Sequence, residues 1–276
     1  MRIAILADIH GNLPALEAVL ADVSREKVDR IFVAGDVVVG SPDSAACWDR
    51  VRALGCPVLR GNHERYVFDL HTERAAPEWH SIRFGPVQYA AAQLGEARRR
   101  EMAALPITHQ FSDIPEILFV HGSSRSDNDL IFPYTTDEAI APMFPASAPE
   151  WIVRGHNHFS SVRLWEHRKI VTVGSIGLPL DGTPDAQFTI LEKRGNGTWR
   201  VIHRNVRYDV NATLKRFRET DYLEKAGPMA RLFMREVQTA AFQIVPFLKF
   251  YQQRLAEKPE WPLADAVDAF LPEAVR

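Results

Sequence analysis

Seven residues of this chain have side chains suited to binding transition metals, and they fall in five short motifs. Asp8-Ile9-His10, Gly35-Asp36, Gly61-Asn62-His63-Glu64, His121-Gly122 and Gly155-His156-Asn157-His158 supply Asp8, His10, Asp36, Asn62, His121, His156 and His158. Carboxylates mixed with imidazoles suit Mn, Fe, Zn or Ni, whereas all-oxygen sites suit Mg or Ca. A structural zinc takes four ligands, so this larger set points to a pair of ions at a catalytic site.

Something must bring these motifs together. Each follows a short apolar run: residues 2–7 (RIAILA), 30–34 (RIFVA), 57–60 (PVLR), 116–120 (EILFV) and 151–154 (WIVR). Short runs rich in β-branched residues read as buried strands. Open α/β sheets bind ligands outside the carboxyl ends of their strands. Five strand ends therefore converge on one crevice, and Gly35, Gly61, Gly122 and Gly155 permit tight turns and close backbone approach there.

The five motifs, in this order and each after a strand, resemble the calcineurin-like metallophosphoesterase superfamily over about residues 1–180. The compact bacterial and archaeal phosphodiesterase-like branch is the nearest, since it has a stretch similar to Val173-Gly174-Ser175-Ile176-Gly177-Leu178-Pro179. The resemblance implies a four-layer α/β/β/α sandwich with a binuclear centre of divalent transition-metal ions (Mn, Fe, Zn or Ni, with Mn favoured). It puts Asp8, His10, His158 and Asp36 on one ion, and Asn62, His121, His156 and Asp36 on the other. Asp36 would bridge, because a carboxylate has an oxygen for each ion. A water held between the ions would then lose its proton near neutral pH and act as nucleophile.

Other residues take their expected roles from position. His63 is implied to be a catalytic histidine that protonates the leaving-group oxygen or stabilises its charge. Arg60 could grip a phosphoryl oxygen bidentately, or it could form a structural salt bridge. Ser123, Ser124 and Arg125 follow His121 and could line a substrate pocket. His71, His80, His109, His167 and His203 lie in no motif and are expected at the surface or in packing. Serine/threonine protein phosphatases of the superfamily extend the second motif to Asp-Arg-Gly. Here Gly35-Asp36 continues as Val37-Val38-Val39-Gly40 without that arginine, which disfavours a protein-phosphatase role.

Composition is ordinary for a globular protein: 276 residues, 46% hydrophobic and 25% charged. A net charge of −2 offers no basic footprint, so no stable nucleic-acid complex is expected. There is no secretory leader and no apolar run long enough for a bilayer, so the expectation is a cytoplasmic protein with no membrane partner. Cys47 and Cys56 are then expected to stay reduced, as small buried residues.

Along the chain, strands and helices alternate to about residue 105, with helices expected at 14–25, 43–54 and 86–104. Residues 163–173, 186–192 and 199–206 read as a β meander with turns at Asp181-Gly182 and Gly195-Asn196-Gly197. The domain boundary is placed at residue 208, with a helical extension over 209–276. Its helices are expected at 211–225, 229–254 (kinked or broken by Pro246) and 262–270. The extension could pack on the first domain, cover the site as a lid, or form a homodimer.

Two function classes follow. The first is a metal-dependent phosphoesterase, a phosphodiesterase foremost, acting on small or nucleotide-like esters; a phosphomonoesterase stays open beside it. The second is a non-catalytic protein-binding scaffold on the same fold. The intact ligand set with His63 favours the enzyme.

Overall fold

A computed structural model describes residues 1–195 and 197–271. In chain order the elements are β1 (Arg2–Leu6), α1 (Leu13–Arg25), β2 (Arg30–Val33), α2 (Ser44–Arg52), α3 (Asn62–Asp69), α4 (Gly85–Ala103), β3 (Thr108–His109) and β4 (Ile117–Val120). There follow α5 (Asp137–Ile140), β5 (Trp151–Arg154), β6 (Ser160–Trp165), β7 (Arg168–Val173), β8 (Ala186–Lys193) and β9 (Trp199–Val206). The chain closes with α6 (Val210–Glu219), α7 (Tyr222–Lys225), α8 (Met229–Thr239), α9 (Ile244–Leu255) and α10 (Leu263–Phe270).

The strands form two mixed sheets, in the orders β2-β1-β8-β9 and β3-β4-β5-β7-β6. Strand alternation builds the layers. Ile3 and Ile5 of β1 face the second sheet and pack with Phe32, Phe119, Val153 and Val171. Ala4 and Leu6 face the other way, against Leu16, Val19 and Val23 of α1 and Trp48 of α2. Outside the second sheet, Val120, Ile152 and Ile170 are covered by Ile140, Met143 and Phe144. The expected α/β/β/α sandwich is present, although its fourth layer is thin and carries, among the described residues, the four-residue α5 and a 3-10 turn over Ala141–Met143.

Several local expectations need correction. Residues 57–60 make only an isolated parallel bridge, Val33 to Val58, because the Arg60 N–H turns away to Pro106 O. The presumed meander is divided between sheets: β6 and β7 form a hairpin in one, β8 and β9 in the other. Its last turn includes Asn196, which lies outside the described residues. Gly95, at φ 68°, interrupts α4. Pro246 breaks no helix. It sits in the first turn of α9, where its missing N–H costs nothing, and the break falls earlier, at Ala240 with φ 50°.

The C-terminal helices pack on the sandwich. Leu214, Phe217, Tyr222, Phe233 and Val237 share a core with Leu178, and Phe247, Leu263 and Val267 close a second one around Leu232. Three polar contacts reach the loops that carry the site: Thr213 Oγ1 donates to Asn12 Oδ1 at 2.8 Å, Tyr222 OH to Gly40 O at 2.9 Å, and Arg216 pairs with Asp43. Cys47 and Cys56 are free thiols. Among the described residues no helix is long and apolar enough to cross a membrane.

Candidate metal centre

The crevice forms where β1, β2, β4 and β5 end. Backbone ladders run past the strand ends and align the loops: His10 N donates to Asp36 O, Gly11 N to Val37 O, and Gly155 N to His121 O. The later stretch 173–179 seals the Asp8 loop, with Gly177 N and the Ser175 hydroxyl both donating to Asp8 O. Gly61 is required here by space, since a Cβ would lie 2.1 Å from Asp36 Oδ1.

All seven expected metal-binding residues meet in this crevice. Ligand atoms of Asp8, His10, Asp36 and His158 lie within 4.8 Å of one another, as do those of Asp36, His121 and His156. Asn62, the first residue of α3, adds its Oδ1 to the second set, 3.2 Å from His121 Nε2. Asp36 belongs to both sets, and its two oxygens differ. Oδ1 accepts the His63 N–H at the start of α3, at 2.9 Å. Oδ2 is buried 3.2 Å from His121 Nε2 and 3.8 Å from His10 Nε2, and it has no hydrogen-bond partner while those nitrogens are bare.

The imidazoles are oriented by main chain. Nδ1 of His10, His121 and His158 lies 2.9, 2.7 and 2.7 Å from the carbonyls of Val39, Ala34 and Leu178. A carbonyl only accepts, so each Nδ1 carries the hydrogen and each Nε2 is turned toward the carboxylates. His10 Nε2 and His158 Nε2 then lie 3.0 Å apart, two acceptors with no donor between them unless one is protonated. Backbone strain supports the arrangement. Asp8, His10, Asp36, His156 and His158 have φ of 54, 51, 54, 71 and 63°. Side chains rarely adopt such angles, each costing about 1–3 kcal/mol, and they persist where surrounding structure imposes them. Converging lone pairs, an orphaned buried carboxylate oxygen and strained ligand backbones fit divalent cations.

Electrostatics of the side chains alone agree. Burial pushes Asp8 up to about 8 and holds His10, His156 and His158 below the usual imidazole range. Burial works against a charged His121 as well, but Asp36 beside it raises it to about 9. Metal-binding groups hold cations only when deprotonated, so a cation here would displace the Asp8 and His121 protons.

His63 stands beside the ligands and in neither donor set. Its Nε2 is 4.0 Å from Asp36 Oδ2, and its ring packs edge-on against His10 at 4.8 Å. Burial lowers its pKa, and Asp36 opposes that shift.

The other site expectations fare differently. Arg60 takes its structural alternative: Nε lies 3.7 Å from Asp127 Oδ2, with the guanidinium over the Phe68 ring. Asp127 is gripped more firmly by Arg65, at 2.8 and 2.9 Å. Ser123 is buried, and its hydroxyl serves the turn, donating to Asp129 Oδ2 at 2.7 Å and accepting from the Ser126 N–H. Arg125 points outward and forks onto Asp129, while Ser124 donates to Met143 O. These hydrogen bonds build the loop after β4.

Two structural residues escaped the sequence reading. Glu64 is fully buried and accepts the N–H groups of Gly61, Asp36 and Val37, joining the second and third motifs. Arg154, also fully buried, donates to Gly122 O and Asp129 O and so ties the last two motifs together. Their positions inside the motif and strand were the available signals: a glutamate completing Gly-Asn-His-Glu, and a lone arginine ending an apolar strand.

Comparison with known proteins agrees with this geometry. An uncharacterized protein of Methanocaldococcus jannaschii is 24% identical over 250 residues, covering 84% of this chain and 97% of that one. The crystal structure of a metallophosphoesterase from Sphaerobacter thermophilus is similar at TM-score 0.68 and 26% identity, covering 87% of this chain and 100% of that one. A symmetrical bis(5'-nucleosyl)-tetraphosphatase of Pectobacterium carotovorum is 35% identical over 74 residues, 26% of each chain. The profile of calcineurin-like phosphoesterases matches residues 1–160, more than half of the sequence, and the chain belongs to that family.

Proposed function

We propose that this chain is a phosphodiesterase that hydrolyses small or nucleotide-like phosphate esters with two divalent transition-metal ions, manganese being the first to test. The observation that carries the reading is Asp36 Oδ2, orphaned and buried between two donor sets. Asp8, His10, Asp36 and His158 would hold one ion, and Asp36, Asn62, His121 and His156 the other. Such ions supply Lewis-acid charge to a phosphoryl oxygen and activate water for attack. The protein does the rest. Backbone carbonyls fix the Nε2 atoms inward, α3 pins Asp36 through Oδ1, and His63 donates a proton to the departing oxygen.

A diester is favoured over a monoester because Arg60 and Arg125 are already paired with Asp127 and Asp129. A monoester's second negative charge would lack those arginines. The local likeness to a dinucleoside tetraphosphatase supports a second reading, in which the bond cleaved is a phosphoanhydride of a dinucleotide. The test is to load the protein with Mn, Fe(II), Zn or Ni and measure rates on bis(4-nitrophenyl) phosphate, 4-nitrophenyl phosphate and diadenosine tetraphosphate. The account expects the diester to be cleaved fastest. A preference for the monoester would make it a phosphomonoesterase, and metal-loaded protein inert on all three would favour the scaffold.

A further inference from the structure

An apolar cavity of about 140 Å³ adjoins the metal centre, and His63 and Val39 form part of its wall. Val39 is the residue whose carbonyl holds His10. Two C-terminal helices complete the cavity: Met229 and Phe233 of α8 and Ile244 and Leu248 of α9. Each pair is spaced i, i+4, so each helix turns one apolar face inward. The elbow between them is fastened by buried Glu236, which accepts the N–H groups of Gln243 and Ile244 at 2.8 and 3.0 Å.

The remaining wall is aromatic. Tyr66 and Phe84 line the cavity, and both rings pack in a cluster with Trp79, at 4.9 and 6.0 Å. The lining contains no carboxylate. Its single charged group is Arg83, exposed, and without a hydrogen bond or ion pair among the described residues. A dry cavity of roughly 150 Å³ lined by such side chains accommodates one benzene ring. His63, the proton donor to the leaving group, separates this cavity from Asp36.

We infer that this cavity is the leaving-group subsite and selects esters whose departing alcohol carries a planar aromatic ring. The assignment rests on the phosphoesterase reading above. The phosphoryl group would lie at the metal ligands, the ester oxygen at His63, and the ring against Tyr66, Phe84 and Phe233. Water gives up a proton to solvent and attacks phosphorus, the P–O bond to the aromatic alcohol breaks, and His63 gives its proton to that oxygen. The C-terminal helices thereby set specificity without touching the reacting atoms.

The test compares Mn-loaded protein with Leu248→Trp, which fills the cavity from a half-buried position, and with Ile244→Phe as a second filling variant. The readout is the ratio of kcat/KM for methyl phenyl phosphate to that for methyl trifluoroethyl phosphate. Intrinsic reactivity cancels when this ratio is compared between proteins. The proposal expects the ratio to fall about tenfold or more in both filling variants, as burial of one ring would be lost. An unchanged ratio with both esters still cleaved overturns the subsite and leaves the phosphodiesterase reading standing. If the wild type cleaves neither ester, that reading fails separately, and 4-fluorophenol titrated into the metal-loaded protein, followed by fluorine NMR, decides the cavity. Saturable binding lost in Leu248→Trp supports an aromatic subsite, and no saturable binding overturns it.

Discussion

The Nε2 atoms of His10 and His158 face each other at 3.0 Å, each ring fixed through Nδ1 to a main-chain carbonyl. Two imidazole lone pairs at this distance repel unless a cation or proton lies between them. Replacing either histidine should therefore empty one metal position and spare the other. Elemental analysis of His158→Ala is expected to give one ion per chain. Retention of two would remove His158 from the ligand set.

Asp36→Asn should be more damaging than His63→Ala. The carboxylate serves both donor sets, whereas proton transfer by a positioned residue contributes about 10²–10⁴-fold. We expect His63→Ala to keep both ions and lose rate within that range, with the larger loss on esters of poor leaving groups. Asp36→Asn should lose metal as well as rate. An Asn variant that keeps both ions and most of the activity would refute the bridge.

Glu64 gathers three loop N–H groups with a side chain wholly out of solvent. Glu64→Ala leaves those donors unsatisfied, at about 1–3 kcal/mol for a buried group. The expected result is a lower urea midpoint together with weaker metal binding, because Glu64 ties the Asp36 loop to the start of α3, which carries Asn62. Unchanged metal affinity would mean that the loops hold their shape without it.

Much of the centre was legible from the chain alone, and the reasons are specific. β5 occupies the four residues expected, because Trp151-Ile152-Val153-Arg154 is bounded by turn residues on both sides. The seven candidate donors were legible because metal chemistry restricts the residue types. Their support was less visible. Glu64 and Arg154 look like ordinary charged residues until the loops they bridge are seen together. The partition of β6–β9 between two sheets was also hidden, since a hairpin pattern does not say which edge it will join. The turn bonds of Ser123 were also hidden, because a hydroxyl after His121 can serve a turn as readily as a substrate. A proline in the chain alone does not show whether it breaks a helix or opens one, and α9 begins two residues before Pro246.

Glu236 gives a pH dependence of stability away from the metals. Burial raises its pKa from 4.5 to about 7, against the opposing pull of the Gln243 and Ile244 N–H groups. The folded chain thus binds this proton more tightly than the unfolded chain. The associated stability is full below about pH 4.5 and is lost as pH rises through about 7. Urea melts at pH 5 and pH 8 should show wild type losing up to about 3 kcal/mol relative to Glu236→Gln. A difference between the two proteins that does not change with pH would contradict the assignment.

One carboxylate, Asp36, belongs to both donor sets and is proposed to join them into a binuclear centre. The most direct test is the metal content of the full chain after reconstitution with excess Mn and removal of loosely bound ions. The account predicts two ions per chain in the wild type and fewer than one in Asp36→Asn. One ion or none in the wild type would contradict it.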